Sequence, residues 1–301
     1  MAVNKSGLSL GPLLFNWETN KARDFYFKIA DESPVDTVYL GEVVCSKRQP
    51  FHDVYIPEVV ERLQSAGKKV ILSTLILVMT KRELKSVEDI ASMGDDILIE
   101  ANDMSAISLL KGKNHAVGPF INIYNEAALK YFERNGATRI SLPFELSGDS
   151  LRAIAKVAES QLEVQVFGRL PLAISARCYH ARYQNKQKDN CQYVCDQDTN
   201  GLTINTVDGQ DFLAINGLQT MSNSYCNLAN EIGSLKEMGI NNFRLSPHDT
   251  DMIKISSTYR DFIDDKISAE DLEEVLEDLL PEVDFSNGFY YKQAGLSKIS
   301  A

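Results

Sequence analysis

No apolar run in the 301-residue chain approaches the length a bilayer span needs. The longest, Val70 to Met79, is broken by Ser73 and Thr74, well short of the ~20 residues that cross the hydrocarbon. The opening stretch, MAVNKSGLSLGPLLFNWE, has one early Lys, no sustained apolar segment and no cleavage-like site, so a soluble cytoplasmic protein without a membrane span is expected. Positive charge is the scarcer sign: 31 Lys and Arg against 42 Asp and Glu leave a net charge of −11. That balance counts against a dedicated nucleic-acid binder, which needs a basic footprint. Histidine is rarer still: His52, His115, His180 and His248 are scattered without ligand spacing. H-E-x-x-H and G-x-S-x-G are both absent, which leaves peptidase chemistry without a recognisable site. Hydrophobic residues at 44% and charged residues at 24% exclude wholesale disorder.

Short Val-, Ile- and Leu-rich runs alternate with helix-period segments through the first half of the chain. They read as strands at Leu8–Phe15, Asp36–Leu40, Lys69–Leu75, Ile97–Ala101, His115–Phe120, Arg139–Leu142 and Leu162–Phe167. Helices are expected between them, with Asp103 as a cap and Gly67 as a stop. An eighth strand, Asn242–Ser246, precedes a helical pattern from Ile253 to Ile263. Eight such units predict an α/β fold of (β/α)8 barrel type, distorted by its spacing; a doubly wound open sheet is the rival. Residues 1–301 are expected to form a single barrel-like domain, with 168–240 as an insertion between the seventh and eighth strands. Leu202–Thr206 and Asp211–Asn216 flank an Asp208-Gly209 turn there and predict a hairpin.

Five cysteines are an odd number in a chain too large to need stapling, which points to a reducing compartment and free or metal-bound thiols. Cys191 and Cys195 form C-x3-C, with Cys178 twelve intervening residues upstream in a polar stretch. Cys45 follows the second strand, where a barrel would place it on the face from which the insertion starts. A four-thiolate zinc site and an iron–sulfur cluster are both compatible with these thiols. Cys226, beside Tyr225 and no other ligand type, reads as core filling. Lys47, Arg48 and Arg177 flank two of the candidate ligands as counter-charges or as solvated surface cations, and His180 is either a sulfur-bonding neighbour or a surface histidine. A second constellation, Glu42, Glu100, Glu145 and Arg244 with Asn122 and Asn125, follows apolar runs at the expected barrel mouth. These are candidate catalytic groups for binding a hydroxylated substrate or moving protons, or else a structural salt-bridge ring. Arg244, Arg177 and Arg169 are the candidate partners of a dianionic substrate.

The stretch from Glu163 to Cys178, EVQVFGRLPLAISARC, resembles the signature of the collagenase-like peptidase family, E-x-F-x2-G followed by Cys. It departs in placing Pro171 where that signature has its first Cys and in closing up the Phe-to-Gly spacing. With YLGEVVCSKR, LSTLILV, INIYN, PFELS, NGLQTMS, RLSP and the tail NGFYYKQAGL, it is similar to the branch of that family serving anaerobic ubiquinone biosynthesis. The resemblance implies a 4Fe-4S cluster on Cys45, Cys178, Cys191 and Cys195. It also implies a heterodimer with a paralogue, UbiU, in O2-independent hydroxylation of the ubiquinone precursor ring. A sterol-carrier-like lipid-binding accessory protein and prephenate, as hydroxyl donor, are implied partners. Other branches are linked to RNA hydroxylation. The function classes left open are a redox subunit of a ring hydroxylase, a non-catalytic iron–sulfur partner of a catalytic paralogue, and a zinc-stabilised peptidase or interaction module.

Overall fold

The computed structural model describes residues 6–300, so the part of the N-terminal reading that falls on residues 1–5 lies outside it, as does Ala301. Twelve strands form one sheet: β1 Gly7–Leu10, β2 Thr37–Leu40, β3 Lys69–Ser73, β4 Leu98–Ala101, β5 His115–Val117, β6 Ala137–Ser141, β7 Gln161–Ile174, β8 Leu202–Asn205, β9 Asp211–Asn216, β10 Gln219–Asn227, β11 Asn242–Leu245 and β12 Phe285–Ser286. Strands β1 to β6 each pair in parallel with the next, up to β7. Strand β11 then pairs with β7 on one side, Asn242 opposite Glu163, and with β1 on the other, Ser9 opposite Arg244. Eight strands therefore close on themselves with helices between them, a (β/α)8 barrel and not an open sheet.

The apolar runs are buried on both faces because one side of each strand packs on the helices and the other fills the barrel. Outward-facing Leu8, Val38, Ile99 and Ile140 join the main core beneath the helices, whereas Tyr39, Ile71 and Ala116 form a separate inner layer. Several strands are shorter than the sequence suggests. Strand β1 ends at Leu10 because Gly11 and Pro12 follow, and β5 ends at Val117 before Gly118 and Pro119. Side-chain caps fix the helix starts: Thr80 closes a capping box with Glu83, Asp103 accepts from the Ser105 amide, and Asn125 accepts from the Ala128 amide.

Strand β7 departs from expectation in the other direction: it continues past Phe167, its last residue paired in the barrel, to Ile174. Its outer part leaves the parallel sheet and pairs antiparallel with β10, from Phe167 opposite Asn227 to Ile174 opposite Gln219. Strands β9 and β8 extend this antiparallel part of the sheet as the hairpin around Asp208-Gly209. The segment from 168 to 240 is thus hydrogen-bonded to the barrel through a shared strand. The tail motif has a packing reason: Tyr290 O accepts the Gly148 amide, Asn287 bonds Glu231 and Ile299, and a Cβ on Gly288 would overlap Ala294 O.

Candidate metal centre

The loops that follow β1 and β2 hold the cysteine-bearing segment against the barrel's C-terminal end. Glu42 Oε1 accepts the Val44 and Cys45 amides at 2.7 and 2.8 Å, which fixes the turn carrying Cys45. Lys47 reaches Asp189 at 3.1 Å and the Lys188 carbonyl, and Phe51 packs edge-on against Tyr193 with ring centroids 4.9 Å apart. Trp17 Nε1 donates to Thr199 O at 2.8 Å, and Asn16 Nδ2 lies 3.5 Å from Cys195 Sγ. Cys178 starts the short helix Tyr179–Tyr183, its sulfur accepting the Ala181 amide at 3.4 Å. Gln192 and Tyr193 both take positive φ, a turn between Cys191 and Cys195.

These contacts set the four candidate thiols on neighbouring segments. Cys195 lies near enough to Cys45 and Cys178 for its charge to act on both, and Cys191 acts on Cys178 in the same way. Burial raises the pKa of Cys45 and Cys178, so the thiolates need compensating positive charge. All four are free thiols. Among the described residues no group of three or more His, Cys, Asp or Glu is arranged to hold a single metal ion. Zinc would draw every sulfur to about 2.3 Å from one centre. Four cysteine sulfurs are a donor set that either zinc or a cubane iron–sulfur cluster takes. Cys226 stands apart in the main core, 3% exposed, opposite Gly168.

The flanking cations divide. Arg177 is exposed, and Lys47 is spent on Asp189. Arg48 is 1% exposed and donates to Leu14 O at 2.9 Å and Asn216 Oδ1 at 3.0 Å. His180 neither bonds a sulfur nor faces solvent: it is fully buried and its Nε2 meets Asp198 at 2.7 Å, because that pair docks the Cys178 helix onto the segment after Cys195.

The acid and arginine constellation does not gather as one group. Glu42 serves the Cys45 turn, and its Oε2 faces His52 Nε2 at 3.4 Å. Glu145 meets the Tyr124 hydroxyl at 3.2 Å, Asn122 is exposed, and Asn125 is spent as a helix cap. Glu100 and Arg244 do meet, at 2.6 Å, inside the barrel. There Arg244 also pairs with Glu163, which binds Arg139, Tyr39 and Ser141 as well. Burial opposes ionisation of Glu163, yet Arg139 and Arg244 more than offset it and bring its pKa down to about 2. Glu163 is the member absent from the sequence-based candidates; its signal is a carboxylate inside the Val-rich strand LEVQVF. With Arg244 held by two carboxylates and Arg169 bonded to Ser222 O and Asn223 O, both interior arginines are already engaged.

The pattern of peptidase family U32 matches residues 20–299. The chain belongs to this family. Two curated relatives are the tRNA hydroxylation protein P of Haemophilus influenzae, 29% identical over 174 residues, and that of Escherichia coli, 27% identical over 174 residues. Each alignment covers 53% of this chain and 38% of the relative, so the chain matches well under half the length of either. Among solved structures, a chain of the tryptophan synthase complex from Pyrococcus furiosus aligns over 92% of this chain and 99% of its own, at 13% identity and a TM-score of 0.42. The barrel assignment rests on the strand pairing described above.

Proposed function

We propose that this U32 protein is an iron–sulfur subunit of an O2-independent hydroxylase, of the UbiV type, acting with a UbiU-like paralogue on the ring of a ubiquinone precursor. The observation that carries the reading is that Cys195 lies within charge reach of Cys45 and Cys178, Cys191 within reach of Cys178, and buried Arg48 within reach of Cys45, Cys178 and Cys195. A bound four-iron cluster would supply single-electron chemistry there, with every iron already holding a thiolate. The protein's own part is to exclude water from Cys195, hold Cys45 through Glu42, and hold the Cys178 helix through His180 and Asp198. The names of the relatives support hydroxylation as the shared theme of the family. They also favour a second reading, hydroxylation of a tRNA base. The net charge of −11 weighs against it, because a polyphosphate backbone would meet repulsion over most of the surface.

Cells lacking this gene, grown without oxygen, separate the readings. Loss of ubiquinone with unchanged hydroxylated tRNA nucleosides, both followed by mass spectrometry, is the expected result. The reverse pattern would establish the RNA reading in its place, and no change in either pool would remove both.

A further inference from the structure

Arg48 is among the largest fully buried side chains in the protein. A guanidinium stays charged at any working pH, and burying one is expensive unless an opposite charge repays it. Among the described residues Arg48 has no carboxylate at ion-pair distance: its donors go to Leu14 O and Asn216 Oδ1, both neutral, and its Nε meets no acceptor. Glu42 is nearby, but its oxygens are turned to the Val44 and Cys45 amides and to His52. The fold nevertheless clamps this side chain in place. Asn216 bonds both Arg48 and Leu14 O, and Gly217, at φ +62°, lies so close that a Cβ there would sit 2.7 Å from Arg48 Nη2. Its neighbours are the thiol-bearing turns: the Arg48 amide donates to Cys45 O at 2.9 Å, and Asn16, two residues beyond the Leu14 carbonyl that the guanidinium holds, has its Nδ2 3.5 Å from Cys195 Sγ, so the charges of Cys195 and Cys45 act on the guanidinium.

We infer that Arg48 is the built-in counter-charge of the thiolate site, holding any cluster bound there at a higher reduction potential and in slower exchange than the four thiolates alone would. The inference rests on the reading of the four thiols as cluster ligands. A fixed positive charge beside the sulfurs stabilises the more negative, reduced state, and dispensing with it shifts the one-electron equilibrium toward the oxidised form. Lys47 and Arg177 do not serve, since one is paired with Asp189 and the other is exposed.

The test uses anaerobically purified full-length protein, with redox titration followed by electron paramagnetic resonance and release of iron to a chelator. Arg48→Gln is expected to lower the reduction equilibrium about tenfold, or about 59 mV for one electron, and to speed iron release, while Arg48→Lys restores most of both. Asn216→Asp places a carboxylate where Arg48 already donates, neutralising the charge without removing the side chain, and is expected to shift the potential the same way. It decides the matter if Arg48→Gln does not fold. Wild-type protein that binds no cluster overturns the ligand reading and this inference together. A cluster whose potential and release rate are unchanged in these charge-removing variants overturns the inference alone.

Discussion

Glu163 shows how much of the barrel interior depends on one side chain. It is fully buried and accepts from Tyr39, Ser141, Arg139 and Arg244. Removing one partner of such a network strands the others as uncompensated buried charges, a loss of about 3–5 kcal/mol. Glu163→Gln is therefore expected to lower the unfolding free energy from urea titration by that measure, and a change under about 1 kcal/mol would show the arginines to be satisfied without it. The carboxyl titrates at about 2 in the folded chain against an ordinary 4.5, so its stabilisation is complete above pH 4.5 and is lost as the pH falls toward 2. The trio Cys178, Cys191 and Cys195 stands out in the sequence because thiols clustered in a polar stretch make poor core filling. Glu163 does not, because inward and outward positions of a strand buried on both faces look alike in one dimension, and only the register with Arg139 and Arg244 reveals its partners.

Strand β7 joins the barrel to the sheet that carries the cysteine segment. The sequence reading stopped it at Phe167, since Gly168 and Pro171 are both strand breakers by composition. The structure uses each. Gly168 turns the chain at φ +100°, packed so that a Cβ would meet His248 Nε2 at 2.8 Å, and Pro171 lies where the register with β10 shifts between Thr220 and Met221. Gly168→Ala is expected to destabilise the fold by about 1–3 kcal/mol through backbone strain, with the His248 clash in addition. A melting temperature equal to wild type would contradict this account of the turn. The hairpin and the capped helices were legible because their signals are local, whereas β10, β12 and the far half of β7 exist through pairing between distant segments.

Barrel closure belongs to the same non-local class: eight strand–helix units predict it, but only the pairing of β11 with both β1 and β7 establishes it. At this scale the four histidines, scattered in sequence, share one condition. Burial lowers the pKa of His52, His115, His180 and His248 below the ordinary 6.5. Each therefore binds a proton more readily in the unfolded chain, so stability is complete above pH 6.5 and declines as the pH falls through it. Thermal unfolding of the purified protein is expected to show that decline between pH 6.5 and 5, before most carboxylates titrate; a flat profile there would contradict the burial of these rings.

The proposed function requires that Cys45, Cys178, Cys191 and Cys195 together hold one cluster and that Cys226 takes no part. Iron and acid-labile sulfide analysis of anaerobically purified protein, wild type and with each of the five cysteines replaced singly by Ala, tests it most directly. The account predicts about four irons per wild-type chain, the same content in Cys226→Ala, and loss of the cluster or strong depletion in each of the other four. Colourless wild-type protein holding one zinc, or full iron content after any of those four replacements, would contradict it.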